Sequence, residues 1–101
     1  MKQRLVILGG GESGVGAAVL GKQKNYDVFV SELGTILPKY KKILNREDVS
    51  FEENSHSKNL IFNASVVVKS PGISDSNLLV KELIEKNVLV VSEIEFASWY
   101  T

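Results

Sequence analysis

A glycine-rich turn between two apolar segments constrains this chain more than any other feature. The turn reads GGGESG over residues 9–14; an apolar run at residues 5–8 precedes it, and a helical pattern at residues 15–24 follows it. A buried strand, a turn that glycine makes easily and a helix together form the opening of a nucleotide-binding βαβ unit. The sequence therefore predicts an α/β domain that binds a phosphate-bearing ligand at this turn.

The glycines of the turn have the spacing G-x-G-x-x-G, through Gly9, Gly11 and Gly14. Gly9 is predicted to adopt the backbone angles of the tight turn, and Gly11 to let the main chain approach a phosphate. Gly14 is predicted to bring the helix close to the strand. The N–H groups at the start of that helix would then face an anion, which the helix dipole also favours.

Two polar residues inside the turn allow different interpretations. The hydroxyl of Ser13 would be a further donor to a phosphate oxygen. Glu12 would be unfavourable beside a phosphate, but an acidic residue in the first turn of a helix is also favoured by the helix dipole. Both interpretations of Glu12 stay open from the sequence alone.

Apolar runs of strand length alternate with helical patterns along the whole chain, without a long linker or a repeat. Such alternation indicates right-handed crossovers and a parallel sheet with helices on both faces. We predict one Rossmann-like domain over residues 1–101, with five strands in the order 3-2-1-4-5 and ligands at the switch point between strands 1 and 4. The predicted strands are residues 4–8, 27–31, 49–52, 65–69 and 88–91. The predicted helices are residues 15–24, a segment that begins at Pro38, residues 57–62, a segment that follows residues 74–76 and a segment that begins at Ser92.

Capping residues predict where the last two helices begin. Ser74, Asp75 and Ser76 are each able to cap the fourth helix, and Ser92 with Glu95 has the spacing of a capping box. The apolar face of the fourth helix is predicted to consist of Leu79, Val80, Leu83 and Ile84.

Two further features lie at the predicted carboxyl edge of the sheet. Glu32 ends the second strand 18 residues beyond Gly14, where Rossmann domains place the carboxylate that accepts hydrogen bonds from ribose hydroxyls. A solvated glutamate at a strand end is the alternative. Ser70, Pro71 and Gly72 follow the fourth strand and form either a rigid turn that presents a hydroxyl and an N–H to a ligand, or an ordinary loop.

Composition excludes several classes of function. Twelve basic and twelve acidic side chains cancel, which argues against a nucleic-acid surface, and the chain has no cysteine. The apolar run before the glycines is too short to span a membrane, so we predict a cytoplasmic protein without a membrane partner. His56, the only histidine, lies in the polar stretch ENSHSKN and is predicted to be a solvated loop residue. No catalytic or metal-ligating residue is predicted, and the motif G-x-x-x-x-G-K-[ST] is absent.

Three segments of the sequence together resemble the N-terminal domain of the Mur ligases, most closely their D-glutamate-adding branch. They are ILGGGESGVGAAVL near the start, VVKSPGI in the middle and SEIEF near the end. The resemblance extends over essentially every residue. VVKSPGI discriminates best, because a strand that ends in SPG at this distance from a glycine turn is typical of this family and not of dehydrogenases.

The resemblance implies that the domain holds the UDP end of UDP-N-acetylmuramoyl-L-alanine. The diphosphate would lie against Gly11, Glu12, Ser13 and Gly14. The carboxylate of Glu32 would accept hydrogen bonds from the uracil or the ribose. Ser70, Pro71 and Gly72 would line the phosphate and sugar side. Some relatives have a hydroxyl and a basic residue directly after the acid, where this chain has Leu33 and Gly34.

The resemblance also implies the reaction of a longer parent enzyme of peptidoglycan precursor synthesis. ATP, with Mg²⁺, phosphorylates the terminal carboxylate of the substrate, and D-glutamate attacks the acyl phosphate to form an amide. The groups for these steps would lie on an ATP-binding domain that begins after Thr101 and on a C-terminal domain. We therefore expect a fragment that binds substrate and does not catalyse.

Two alternatives stay open at this point. A nicotinamide-dinucleotide module of a dehydrogenase or a regulatory sensor shares the glycine turn and Glu32, but leaves Ser70, Pro71 and Gly72 unexplained. A sister ligase that adds another amino acid would have a similar N-terminal domain.

Overall fold

The computed structural model of the chain describes residues 2–101 and contains five strands and five helices in alternation. Among these residues, no helix has the length and apolarity needed to cross a membrane. The strands are β1 (Arg4–Leu8), β2 (Asp27–Ser31), β3 (Ser50–Glu52), β4 (Val66–Lys69) and β5 (Leu89–Ser92). The helices are α1 (Glu12–Gln23), α2 (Pro38–Arg46), α3 (Lys58–Ile61), α4 (Leu78–Glu85) and α5 (Glu93–Ser98).

The five strands form one parallel sheet in the order β3-β2-β1-β4-β5, which confirms the predicted topology. β1 lies at the centre, with Leu8 in register with Ser31 of β2 and with Lys69 of β4. All strands run in the same direction, so their carboxyl ends meet at one edge. The switch point between β1 and β4 therefore lies at the edge that also receives the glycine turn.

Helices cover both faces of the sheet, and β1 shows how the sequence achieves this. Its side chains are completely buried and alternate between two clusters, with Leu5 and Ile7 in the first and Val6 and Leu8 in the second. The first cluster also contains residues of α1, α2 and α5; the second contains residues of α3 and α4. A strand buried on both faces needs a continuous apolar run, which is what residues 5–8 provide.

The starts of two helices differ from the prediction. α1 begins at Glu12 rather than at residue 15, because Gly11 adopts the extended conformation of an N-cap and the turn residues after it are helical. Asn77 caps α4 in place of Ser74, Asp75 or Ser76, since its side chain accepts hydrogen bonds from the N–H groups of Leu79 and Val80. The hydroxyls of Ser74 and Ser76 lie 2.8 Å apart within the preceding loop.

The apolar face of α4 is narrower than predicted. Val80 and Leu83 are completely buried against the second cluster, and Leu79 packs against it in part. Ile84 is 54% exposed, because it lies about a quarter turn around the helix from Leu83, beyond the face that meets the sheet. At α5 the predicted cap is confirmed, with the Ser92 hydroxyl accepting from the N–H of Glu95 at 3.1 Å.

The glycine turn brings the start of α1 very close to the end of β1. Gly9 has a φ of +111° and donates its N–H to the carbonyl of Ser31 at 2.9 Å. A Cβ added to Gly14 would lie 2.0 Å from the carbonyl oxygen of Gly9. Because the backbone fixes the position of a Cβ and the carbonyl belongs to the backbone, no rotamer change relieves such a clash. α1 therefore begins where it does only with glycine at position 14.

We expect Gly14→Ala to lower the free energy of unfolding by about 3 kcal/mol or more, because a methyl group must push α1 away from the end of β1. Urea denaturation of the purified chain measures this loss. Gly16→Ala is the matched control in the same helix: a Cβ there meets no atom within 4 Å, and helix propensity predicts a gain of up to about 1 kcal/mol. Equal stabilities of the two variants would contradict the assigned role of Gly14.

Candidate ligand-binding site

The start of α1 presents free backbone donors at the carboxyl edge of the sheet. No side chain among residues 2–101 caps this helix, and its first backbone bond runs from the N–H of Val15 to the carbonyl of Gly11. The N–H groups of the first turn therefore lack acceptors within the helix. Glu12 and Ser13 are exposed, and a Cβ added to Gly11 would meet nothing within 4 Å. The backbone at Gly11 is therefore not covered by neighbouring side chains, as a helix start that binds an anion requires.

The turn after β4 lies directly against the glycine turn. Ser70 donates its N–H to the carbonyl of Leu8 at 3.0 Å, and a Cβ added to Gly9 would lie 2.8 Å from the Cβ of Ser70. Pro71 and Gly72 follow and are exposed. The structure thus brings the two predicted loops together at the switch point, while their contact with a ligand stays a prediction.

Glu32 connects the glycine turn to the end of β2. Its Oε1 accepts from the N–H of Gly10 at 2.7 Å, and its Oε2 accepts from the N–H of Gly34 at 2.8 Å. Each carboxylate oxygen has a second lone pair, so Glu32 is able to accept further hydrogen bonds from a ligand while it holds these two N–H groups. Glu32 is therefore not a solvated strand-end residue, and the predicted contact with uridine stays untested by its geometry.

A polar network lies beside Glu32, at the end of β2 and in the segment after β3. Ser31 is completely buried, and its Oγ lies 2.8 Å from Oε2 of Glu52 and 2.7 Å from Nδ1 of His56. Glu52 also accepts from the hydroxyl and the N–H of Ser57. His56 lies in a loop, as predicted, but the prediction that it is solvated is wrong, because the segment after β3 bonds to the residues after β2 and holds the ring against Ser31.

The network shifts the pKa values of its two titratable groups. Burial by itself would raise the pKa of the Glu52 carboxyl, but the hydrogen bonds from Ser57 and Ser31 hold it below the ordinary 4.5. Burial lowers the pKa of His56 below the ordinary 6.5, although the charges of Glu52 and Glu32 act in the opposite direction. Around neutral pH, an ionised Glu52 therefore faces a neutral His56 ring across Ser31.

A small cleft of about 130 Å³ opens between these groups and the start of α4. Gly9 lines the cleft together with four aliphatic residues, Leu8, Leu33, Ile73 and Leu79. Three residues with polar side chains complete the lining: Glu32, His56 and Asn77. Apolar walls with a few convergent polar groups are typical of small-molecule sites. The cleft adjoins the glycine turn, so one ligand can occupy both.

The structure places all nine predicted site residues at one edge, but in different positions within it. Gly9 and Glu32 line the cleft, whereas Glu12 and Ser13 lie on the exposed first turn of α1. Sequence reasoning missed Ser31, Glu52, His56 and Asn77. Ser31 could have been identified from the sequence, because a hydroxyl at the end of a strand that is buried on both faces needs a hydrogen-bond partner.

We expect acidification to destabilise the chain through His56 before its carboxylates titrate. The pKa of folded His56 is below its ordinary 6.5, so the unfolded chain binds this proton more readily and the free energy of unfolding falls as the pH decreases from about 7 through that pKa. Urea denaturation at pH 7.5 and pH 5.5 measures the change. His56→Gln removes the only histidine and should flatten the profile above pH 5; an equally steep profile in that variant would contradict the assignment.

Comparisons with known proteins agree with the resemblance. Residues 4–79 match the family described as the MurD N-terminal domain. A UDP-N-acetylmuramoylalanine--D-glutamate ligase from Christiangramia forsetii is 50% identical over all 101 residues of this chain, which cover 23% of that relative. The ligase of the same name from Porphyromonas gingivalis strain W83 is 48% identical over 100% of this chain and 22% of its own length.

A solved structure with a different named activity has the same fold. The murein peptide ligase of Psychrobacter arcticus matches with a TM-score of 0.85 at 20% identity, over 98% of this chain and 21% of that chain. The present chain thus spans between a fifth and a quarter of the length of these proteins. The family match covers most of the sequence, and the chain belongs to the MurD N-terminal domain family of the Mur ligases.

Proposed function

We propose that this chain is the substrate-binding domain of an ATP-dependent, D-glutamate-adding ligase of peptidoglycan precursor synthesis. Its ligand would be UDP-N-acetylmuramoyl-L-alanine, bound by the UDP end in the cytoplasm. One observation carries the proposal: the glycine turn, which leads into the uncapped start of α1, lies against Ser70 of the turn after β4 at the switch point. The names of the relatives support the choice of D-glutamate over the amino acid of a sister ligase.

The diphosphate would bind at the first turn of α1. The net charge of the chain is zero, so attraction must come from local donors rather than from the field of the whole protein. The free N–H groups of residues 11–14 supply such donors, and the helix dipole adds about 0.3 to 1 kcal/mol for a favourable charge. The hydroxyls of Ser13 and Ser70 and the N–H of Gly72 are further donors that this edge presents.

The uridine would occupy the cleft next to Glu32. The carboxylate of Glu32 has lone pairs that its bonds to Gly10 and Gly34 do not use. These lone pairs would accept a hydrogen bond from a ribose hydroxyl or from the base. Leu33 contributes an aliphatic wall where some relatives have a hydroxyl, and Gly34 has no side chain to offer a charge. Recognition of the base in this chain therefore depends on Glu32 and on the other polar groups of the cleft.

The residues of this chain do not fit ATP with Mg²⁺. The motif G-x-x-x-x-G-K-[ST] does not occur in the sequence, and residues 2–101 contain no group of three or more His, Asp or Glu side chains placed to hold a metal. We therefore assign phosphoryl transfer and amide formation to an ATP-binding and a C-terminal domain of the parent ligase. The 101-residue chain alone is expected to bind and not to catalyse; ATP-dependent phosphate release by it, with substrate and D-glutamate present, would contradict this.

We expect Gly11→Val to weaken binding of UDP-N-acetylmuramoyl-L-alanine by about tenfold or more, because its side chain would fill the space through which the diphosphate reaches the backbone donors. Isothermal titration calorimetry measures the affinity. Gly16→Val is the matched control, since position 16 is exposed in the same helix and equally free of neighbours. Unchanged affinity in Gly11→Val would mean that the phosphate lies elsewhere.

A parallel titration with NADH separates the proposal from a nicotinamide-dinucleotide module. The two functions share the glycine turn and an acid at the end of the second strand. We expect a response to the UDP ligand and none to NADH at equal concentrations. Binding of NADH without a response to the UDP ligand would refute the proposed function.

A further inference from the structure

His56 is held at the wall of the cleft by residues that the proposed function does not use. The Oγ of the buried Ser31 lies within hydrogen-bond distance of three groups: Oε2 of Glu52 at 2.8 Å, the carbonyl oxygen of Ser55 at 3.2 Å and Nδ1 of His56 at 2.7 Å. Two of these three groups are only acceptors, since the Glu52 carboxyl is ionised at neutral pH. This arrangement determines the protonation of the ring.

The hydrogen-bond network selects one tautomer of His56. Ser31 has a single hydroxyl proton, which it donates to Glu52 and Ser55. Its oxygen must then accept from His56, so Nδ1 carries the proton of the neutral ring. Nε2 is left with a free lone pair, and no described residue bonds to it. Burial lowers the pKa of His56 by more than the charges of Glu52 and Glu32 raise it. The ring is therefore neutral near pH 7, and Nε2 is an acceptor.

The cleft next to His56 has the size of one six-membered ring. Its volume is about 130 Å³, compared with an apolar cavity of ~150 Å³ that accommodates one benzene molecule. Its apolar lining comes from Leu8, Leu33, Ile73 and Leu79, and aliphatic groups of this kind are suitable contacts for the face of a planar ring. Asn77 is also present, and because its Oδ1 caps α4, its amide NH₂ is the group that remains to donate.

We propose that His56 determines the specificity for the base of the ligand, with Nε2 accepting the N3–H of a uracil ring seated in this cleft. The inference rests on the proposed function, which supplies a uridine nucleotide as the ligand. Uracil has one N–H donor on this edge, flanked by carbonyl oxygens that suit the Asn77 amide. Cytosine has a lone pair at N3, which would oppose the lone pair of Nε2. Ser31 and Glu52 are positioning residues that hold the required tautomer.

Titration of the 101-residue chain with UDP and with CDP tests the assignment. Both ligands have the same diphosphate, so their affinity ratio isolates the base. We expect the native chain to bind UDP about tenfold more tightly than CDP. His56→Ala should lower the affinity for UDP by about tenfold and change the affinity for CDP by no more than about threefold, so that the preference for UDP disappears. Asn59→Ala on the exposed surface of α3, which does not line the cleft, is the matched control and should retain the preference.

Nitrogen NMR provides a readout that a merely structural role would not change. The chain has one histidine, so the two ring nitrogens are assigned without ambiguity in a long-range ¹⁵N–¹H correlation spectrum. We expect a protonated Nδ1 and an unprotonated Nε2 at pH 7.5, with UDP shifting the Nε2 resonance and CDP leaving it unchanged. Ser31→Ala should mix the tautomers and lower the UDP preference in part.

The outcomes separate failure of this inference from failure of the proposed function. The role of His56 is overturned if His56→Ala binds UDP and CDP with the same affinity ratio as the native chain, or if the native ring is protonated at Nε2. Either result leaves substrate binding intact. Absence of UDP binding to the native chain overturns both. Retained circular dichroism and cooperative unfolding in each variant establish that a lost preference does not come from a lost fold.

Discussion

The contact of the start of α1 with the end of β1 is the constraint on which the rest of the structure depends. Gly14 lies so close to the carbonyl of Gly9 that no side chain fits between them. This approach aims the first turn of α1 at the switch point between β1 and β4. Because the same turn lacks a side-chain cap, its backbone donors are available to a ligand. One short glycine segment therefore determines how α1 packs on the sheet and exposes the backbone donors to which we assign ligand binding.

Electrostatics at this edge are local and depend on backbone groups. The chain has no net charge, and the residues nearest the turn include the acidic Glu12 and Glu32. Glu32 nevertheless stabilises the site, since its carboxylate accepts from two backbone N–H groups and connects the glycine turn to the loop after β2. A neutral chain can attract a diphosphate in this way only at a point where several dipoles converge. That condition is met at the first turn of α1.

Most of the fold was predictable because its signals are local in the sequence. Continuous apolar runs predicted the buried strands, and the glycine spacing predicted the turn and its position in the sheet. The errors concern contacts that depend on distant segments. Asn77 replaced Ser74, Asp75 and Ser76 as a cap because those serines bond within their own loop, and α1 began earlier because Gly11 is extended. His56 looked solvated within ENSHSKN, since nothing in that stretch shows that it folds over Ser31.

We propose that one ligand occupies the glycine turn, the turn after β4 and the adjoining cleft together. Amide chemical-shift mapping during titration with UDP-N-acetylmuramoyl-L-alanine tests this most directly. We predict shifts concentrated at residues 11–14, at Ser70 and Gly72 and around Glu32 and His56, with none at Tyr26 and Tyr100 on the opposite edge of the sheet. Shifts confined to that opposite edge, or an unchanged spectrum at saturating ligand, would contradict it.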